Sequence, residues 1–598
     1  MEKKKDVFGI RMIRSPWSDF YGREIEDSLK THPDSYLEEI EAQGYNAIWL
    51  HCILRDIVAS KAFPGFGKKE KEQIPALNKM VEKAAEYGLK VFLYFCEPRG
   101  FKENDAFWKN NADVKGQPAD FHIKGGKTGR YLALCSSTQR VKDFLYQSSY
   151  NLFKKVPGLG GIFMITASEF HTHCYSHLPI PQKKFNEPQM EEWAKAKFTC
   201  GRCAERKPYE VVSEIITLVN KGVKDANPKA DVIAWNWSWY FIEQEPQKKL
   251  ISLLPQDVIL MATFERGGWK HVLNKRLAVD EYSFAYTGPS PTFRDVYNEA
   301  KKRKMRMMAK IQIGTTHELV TVPYIPVPYI LAEKLHRMKK TGVYGYLGCW
   351  IMGGNVSLMS RVAGKMSVNG LLSPSQAVRE AAVEEFGEEA SLYVTKAWKR
   401  FSSAWKTYPF SIPFLYYSPI NFATVYPFDL SARSVPGIPS WLALPKDKQG
   451  HLAVGNNLKT WIKPFTAGFV IKVLKKLLSE WEKGIEALEE GAKKHRPDAR
   501  YRKETDMAVH ISLLIRSTIN IIEFYSLLKK YAKNAPDAKK SMKKLLENEL
   551  SIAEKDRDII GRNNDFGYHS EAHEYFITAK GFDYKISLLK KQIKKLNS

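Results

Sequence analysis

Residues 160–177 read GGIFMITASEFHTHCYSH. The apolar run Gly161–Thr166 is too short for a helix and does not alternate with polar residues. Such a run is what a strand buried on both faces looks like, because neither set of its side chains meets water. It passes at once into a carboxylate, Glu169, and a loop crowded with histidines. A buried strand ending in ionisable residues is the repeating unit of a sheet that carries its chemistry at one edge.

Working outward, seven further runs have the same character: Phe8–Ile13, Asn46–Leu50, Val91–Phe95, Val232–Trp237, Val258–Thr263, Met307–Ile313 and Val343–Trp350. Between them lie stretches with helical spacing: Asp34–Gln43, Pro75–Tyr87, Thr138–Lys154, Pro208–Asp225, Gln244–Leu253, Thr292–Lys302 and Val327–Lys340. Eight buried runs alternating with amphipathic helices predict an α/β fold, a closed (β/α)8 TIM barrel rather than an open sheet. No GxGxxG or GxxxxGK[ST] follows any run, which removes the main support for a nucleotide-binding open sheet.

The barrel is expected to occupy residues 1–360, with a zinc-knuckle-like insertion at about 170–207. A helix from 373 to 406 and a Pro/Tyr-rich irregular stretch over 407–447 fill 361–456 and are expected to pack on the barrel. Residues 457–598 carry Lys- and Glu-rich helical spacing at 457–494, 503–532, 536–560 and 583–597, which predicts a mainly α-helical C-terminal domain.

Composition narrows the function classes. The chain has 598 residues, 44% hydrophobic and 26% charged, the profile of a folded globular protein rather than a disordered one. No run approaches about 18 consecutive apolar residues, so no membrane span is expected. The N-terminal MEKKKDVFGIRMIRS lacks an apolar core, so a cytoplasmic protein, or a secreted or periplasmic one without its leader, is expected. The 92 Lys+Arg against 66 Asp+Glu give a net charge of +26. The excess lies largely in helical segments, as at Lys475-Lys476 and Lys529-Lys530, and reads as solvated helix faces rather than a nucleic-acid site. The helical C-terminal part offers a surface for self-association.

In such a barrel the site is built where the strands end. The run ends supply Arg14; His51; Glu97 and Arg99; Glu169 and His171; Trp235, Trp237 and Trp239; Glu265 and Arg266; His317 and Glu318; and Trp350. Carboxylates for proton transfer and for binding hydroxyls, with indole faces for the apolar faces of sugar rings, describe a carbohydrate site. The expected substrate is therefore an oligosaccharide or glycoconjugate. Glu169, Glu265 and Glu318 are the catalytic candidates, and Arg14, His51, His171, Trp235, Trp237, His317 and Trp350 the substrate-binding ones.

On the motif GGIFMITASEFHTHCYSH, with Arg14 after the first run and Trp350 after the eighth, the chain resembles retaining glycoside hydrolases of the β-hexosaminidase superfamily. The resemblance covers the barrel and implies cleavage of a β-linked hexose or N-acetylhexosamine with Glu169 as general acid/base. One position departs from that pattern: Ser168 stands where the family has an aspartate that orients the substrate's acetamido group. A second resemblance, to clan A glycosidases, implies an acid/base after strand four and a nucleophile after strand seven, hence Glu169 and Glu318. In a retaining enzyme the two carboxyls lie about 5–5.5 Å apart. Glu265 competes for the second role.

Cys200-Gly-Arg-Cys203 is a CxxC knuckle, and Cys174 lies upstream in the same long loop. With His177 they form a Cys3His set for a structural zinc ion, His171 and His173 being the competing fourth ligands. Cys52, Cys96, Cys135 and Cys349 sit within or beside apolar runs and read as core thiols. Two other functions fit the sequence. One is a metal-dependent hydrolase using the His/Cys loop. The other is a non-catalytic carbohydrate- or nucleic-acid-binding protein.

Overall fold

The computed structural model describes residues 6–20, 22–123, 127–177, 198–368, 370, 372–431 and 458–597. Parts of the expected 170–207 insertion and of the 407–447 stretch lie outside these residues.

Eight parallel strands close into a barrel. They are β1 (Ile10–Ile13), β2 (Ala47–His51), β3 (Lys90–Phe95), β4 (Gly161–Ile165), β5 (Asp231–Trp235), β6 (Ile259–Thr263), β7 (Met307–Lys310) and β8 (Gly345–Leu347). Each lies beside its neighbours in sequence, and β8 pairs with β1, so the sheet has no free edge. All eight correspond to the apolar runs of the sequence. Their registers align the chemistry-bearing ends: His51 is opposite Tyr94, Ile165 opposite Trp235, and Lys310 opposite Thr263.

The barrel interior is unusually aromatic. Trp350 stacks on Trp49 at 5.2 Å, and Tyr94 on Phe163, also at 5.2 Å, while Trp235 meets Trp350 edge-on at 5.3 Å. Large rings, rather than layers of Val and Ile, plug the barrel and form the floor of its C-terminal mouth.

The outer ring contains α1 (Asp34–Ala42), α2 (Glu70–Glu86), α3 (Gln139–Lys155), α4 (Pro208–Ala226), α5 (Lys248–Leu253), α6 (Pro291–Lys302) and α7 (Pro328–Thr341). α6 starts where the Ser290 side chain accepts from the Phe293 N–H, with a proline in its first turn, a start signal plain in the sequence. Among the described residues two β insertions interrupt the alternation. A three-stranded antiparallel sheet (Phe101–Lys102, Lys115–Ile123, Lys127–Leu134) follows β3, and a hairpin (Gly268–Val272, Lys275–Val279) follows β6.

Beyond the barrel the chain is helical: α8 (Leu358–Val368), α9 (Pro374–Trp405), α10 (Ala467–Lys494), α11 (Ala499–Tyr531), α12 (Ala538–Arg562) and α13 (Ala579–Asn597). The Ser373 capping box starts α9. Stacking of Phe401 on Trp481 at 4.2 Å joins α9 to α10. Buried Glu504 of α11 accepts from the indole of Trp398 and the hydroxyl of Tyr324, tying these helices to the loop after β7. Among the described residues α11 is long and apolar enough, by length and composition, to cross a membrane: an 18-residue window of it has mean hydropathy 1.4, although it holds no unbroken apolar run of that length. In the fold, 72% of that window is buried, which accounts for its apolar character.

Candidate active site

Glu169 sits just past β4 with φ of +67°, a left-handed conformation uncommon for a residue with a side chain. Its carboxyl is half-buried and accepts a hydrogen bond from the Trp237 indole at 3.1 Å. Burial, and after it the charge of Glu571, push this carboxyl up to about 7 against the pull of Trp237 and Arg99. A carboxyl with such a value is poised to hold a proton and to release it at neutral pH.

The other sequence candidates divide into two groups. Arg14 is buried, with its guanidinium 4.9 Å from the Trp49 ring and 3.1 Å from Glu24. His51 is hydrogen-bonded to Arg99 and stacks on Phe20 at 4.5 Å, and burial and Arg99 hold it well below the usual histidine range. Trp235 and Trp350 lie in the floor, while Trp237 stands at the rim. His317, buried, contacts Glu571 through Nε2 at 3.2 Å. These residues converge on the mouth.

Glu318, Glu265 and His171 do not. The Glu318 carboxyl is fully buried against α9, where the Trp405 indole donates to it at 2.6 Å and Lys270 supplies a neighbouring positive charge. His317 and Glu318 are the central residues of a turn closed by the Leu319 N–H on the Thr316 carbonyl, and their side chains leave it toward different partners. Glu265 is buried in an ion pair with Lys334 of α7, which consumes its charge. His171 bonds to the Gln117 carbonyl at 2.7 Å and the Ser176 hydroxyl at 3.0 Å, and so holds the loop rather than facing the mouth. The expected Glu169–Glu318 pair is thus not formed, and Glu265 is not its substitute.

Two carboxyls that sequence reasoning missed lie near enough to Glu169 to interact with it electrostatically. Glu281 follows the 268–279 hairpin, is buried, and lies 3.6 Å from the Lys310 Nζ at the end of β7. Glu571 comes from the turn between the short strands Tyr568–His569 and Glu574–Tyr575, which the Gly567 N–H ties to the Thr321 carbonyl at 2.8 Å. Burial pushes Glu281 and Glu571 each up to about 8, opposed in both cases by Lys310. Lys310 was the readable signal: a lone lysine inside an apolar run needs a buried anionic partner.

Buried polar atoms at the mouth that make no hydrogen bond within the described residues include Trp235 Nε1 and Thr263 Oγ1, whereas Lys310 Nζ and Glu281 pair with each other at 3.6 Å. Each such group costs roughly 1–3 kcal/mol when left dry. Lys310 lies 3.6 Å over the ring of Tyr282, which meets Tyr416 edge-on.

The cysteines also differ from the sequence reading. The group able to hold a metal among the described residues is Cys135, Cys174, Cys200 and Cys203, all buried, with sulfurs within 4.8 Å of one another. Cys135, read from sequence as a core thiol, takes the fourth position. His177 instead packs its ring 6.3 Å from that of His171. His171 and His173 are bonded to the backbone carbonyls of Gln117 and Thr166, and neither belongs to the cysteine group.

No family model matches the chain, and no curated protein does. Among solved structures it is similar to an O-GlcNAc hydrolase from Thermobaculum terrenum, at 10% identity over 99% of this chain and 97% of that one, TM-score 0.39. An α-amylase from Geobacillus thermoleovorans matches at 12% identity over 62% and 80% of the two chains, TM-score 0.35. A β-mannanase from the blue mussel Mytilus edulis matches at 10% identity over 62% and 94%, TM-score 0.34. At these TM-scores the likenesses carry no weight on function, which rests on the residues at the mouth.

Proposed function

We propose that this chain is a glycoside hydrolase that cleaves a β-linked hexose or N-acetylhexosamine with retention, Glu169 acting as general acid and then general base. The observation that carries the reading is the Glu169 carboxyl, raised to about 7 in a mouth lined by aromatic rings, orphaned polar groups and two further carboxyls. The protonated carboxyl donates to the glycosidic oxygen as the bond to the anomeric carbon breaks. It later takes a proton from the incoming water.

For the second carboxyl the best-supported residue is Glu571, whose charge follows only burial in raising Glu169. As nucleophile it must ionise, which Lys310 and Arg14 favour and burial opposes. Its ionised oxygen would attack the anomeric carbon and be released again by water. Glu281 and Lys310 then bind hydroxyls, and Trp237 stacks on a ring face while holding Glu169.

The test is a panel of aryl glycosides, with and without the acetamido group, assayed on the full chain and on Glu571→Gly. Azide rescue of Glu571→Gly as a glycosyl azide of inverted configuration supports the enzyme nucleophile. Cleavage of N-acetyl sugars alone, tight thiazoline binding and no azide rescue would assign attack to the substrate's acetamido group and leave Glu571 an orienting role. What supports that second reading is that Glu281 and Glu571 both interact electrostatically with Glu169, so a carboxyl is available for the part of the aspartate that Ser168 replaces.

A further inference from the structure

Three separate stretches of chain bring four cysteine sulfurs together behind the loop that carries Glu169. Cys135 follows the inserted three-stranded sheet, Cys174 lies in the loop after β4, and Cys200 and Cys203 belong to the knuckle at the short helix Gly201–Ala204. The Cys135 sulfur lies 3.6 Å from those of Cys200 and Cys203. A disulfide would need about 2.05 Å. Four bonds of about 2.3 Å from one tetrahedral ion place thiolate sulfurs about 3.8 Å apart, close to the spacing seen.

The surroundings are those of thiolates rather than of apolar core thiols. The Gln117 N–H is directed at Cys174 Sγ at 3.3 Å, and Arg202 Nε–H at Cys135 Sγ at 3.3 Å. The Ser137 hydroxyl lies 3.2 Å from Cys203 Sγ. Four thiolates around a dication keep a net negative charge, which donors aimed at sulfur and one guanidinium offset. Gly116 also fits: a side chain there would come within 2.7 Å of Cys174 Sγ.

The geometry points to a structural zinc ion held by Cys135, Cys174, Cys200 and Cys203, stapling the inserted sheet and the 198–204 segment to the loop behind Glu169. An all-thiolate, closed, tetrahedral set is the ligand chemistry of a structural zinc site and has no open position for catalysis. It fastens a region held besides by the packing of Tyr175 on Phe198 at 4.5 Å and by polar contacts. The Gln117 carbonyl bonds to His171, the His171 carbonyl accepts from the Gly100 N–H at 2.7 Å, and His173 bonds to the Thr166 carbonyl. Glu169 lies between Thr166 and His171, so the ion acts on it as a positioning element. That consequence rests on the proposed role of Glu169; the metal site itself does not.

Elemental analysis of the purified full chain tests the assignment. About one zinc per chain is expected, strongly reduced in Cys135→Ser and retained in both His177→Ala and Cys349→Ser. Replacement by cobalt should give thiolate-to-metal charge-transfer absorption, a readout that stands even if the serine variants fail to fold. Metal-free wild-type protein, stoichiometric iron in place of zinc, or zinc kept by Cys135→Ser but lost by His177→Ala would overturn it. Because metal content is read independently of sugar cleavage, failure of the glycosidase reading leaves this result standing, and the reverse also holds.

Discussion

At the scale of single residues, the account separates carboxyls that do chemistry from carboxyls that hold the fold. Glu318→Gln and Glu265→Gln should keep turnover in whatever fraction folds. Removing either partner of the buried Glu265–Lys334 pair should cost roughly 3–5 kcal/mol, because it leaves the other charge buried and unpaired. Denaturant unfolding of Lys334→Met alongside a turnover assay checks this, and a stable but inactive Glu265→Gln would contradict it. The pH profile is specific as well. Activity requires Glu169 protonated and Glu571 ionised, a minority form whose population peaks between their values of about 7 and about 8. A bell centred in that interval is expected for kcat/KM, and a plateau extending well below pH 6 would count against the pairing. Stability follows the same sign. Both carboxyls have folded values above the ordinary 4.5, so their neutral forms stabilise the fold fully below about 4.5. That contribution is lost as pH rises through about 7 and about 8. Glu571→Gln should therefore gain thermal stability over wild type at pH 9 and lose that advantage at pH 4. The sequence displayed Glu169 plainly, as a carboxylate directly after a buried strand. It could not show which way Glu318 points, because the turn that carries it has no periodicity to set its side chain.

At the scale of elements, the barrel strands were legible because both their faces are buried, so hydrophobicity alone marks them. The inserted sheet after β3 and the 268–279 hairpin were not. Their strands are partly solvated and so lack a continuous apolar run, as in Gly268–Val272, where Trp269 and His271 are exposed between buried ends. Both insertions matter, because one leads into Cys135 and the other precedes Glu281. α9 plays the complementary part by closing the back of the strand-seven loop: the Trp405 indole donates to Glu318, and the Tyr408 hydroxyl donates to its backbone carbonyl at 3.0 Å. Trp405→Ala should destabilise the protein by roughly 3–5 kcal/mol through cavity formation and the loss of that donor. Chemical denaturation reads the effect, and a change under about 1 kcal/mol would show that α9 does not support the loop.

At the scale of the whole molecule, the C-terminal helices are part of the site rather than an appendage. The turn between α12 and α13 delivers Glu571 to a mouth built otherwise from barrel loops, and Glu504 and Asn421 lock the intervening segments to the loop after β7. This long-range closure had no local signature: Glu571 sits in a polar stretch, SEAHEY, that resembles any surface turn. The net charge of +26 likewise spreads over helix faces, and the mouth owes its field to particular buried groups, Arg14 and Lys310. The central claim is that this mouth cleaves glycosides with Glu169 as proton donor. Its most direct measurement compares hydrolysis of aryl glycosides with poor and good leaving groups by the wild-type chain and by Glu169→Gln. The account predicts that the variant folds normally and loses about 10²–10⁴-fold in rate on the poor leaving group. It should lose far less on the good one, which departs without protonation. Equal losses on both substrates, or undiminished cleavage of the poor one, would contradict it.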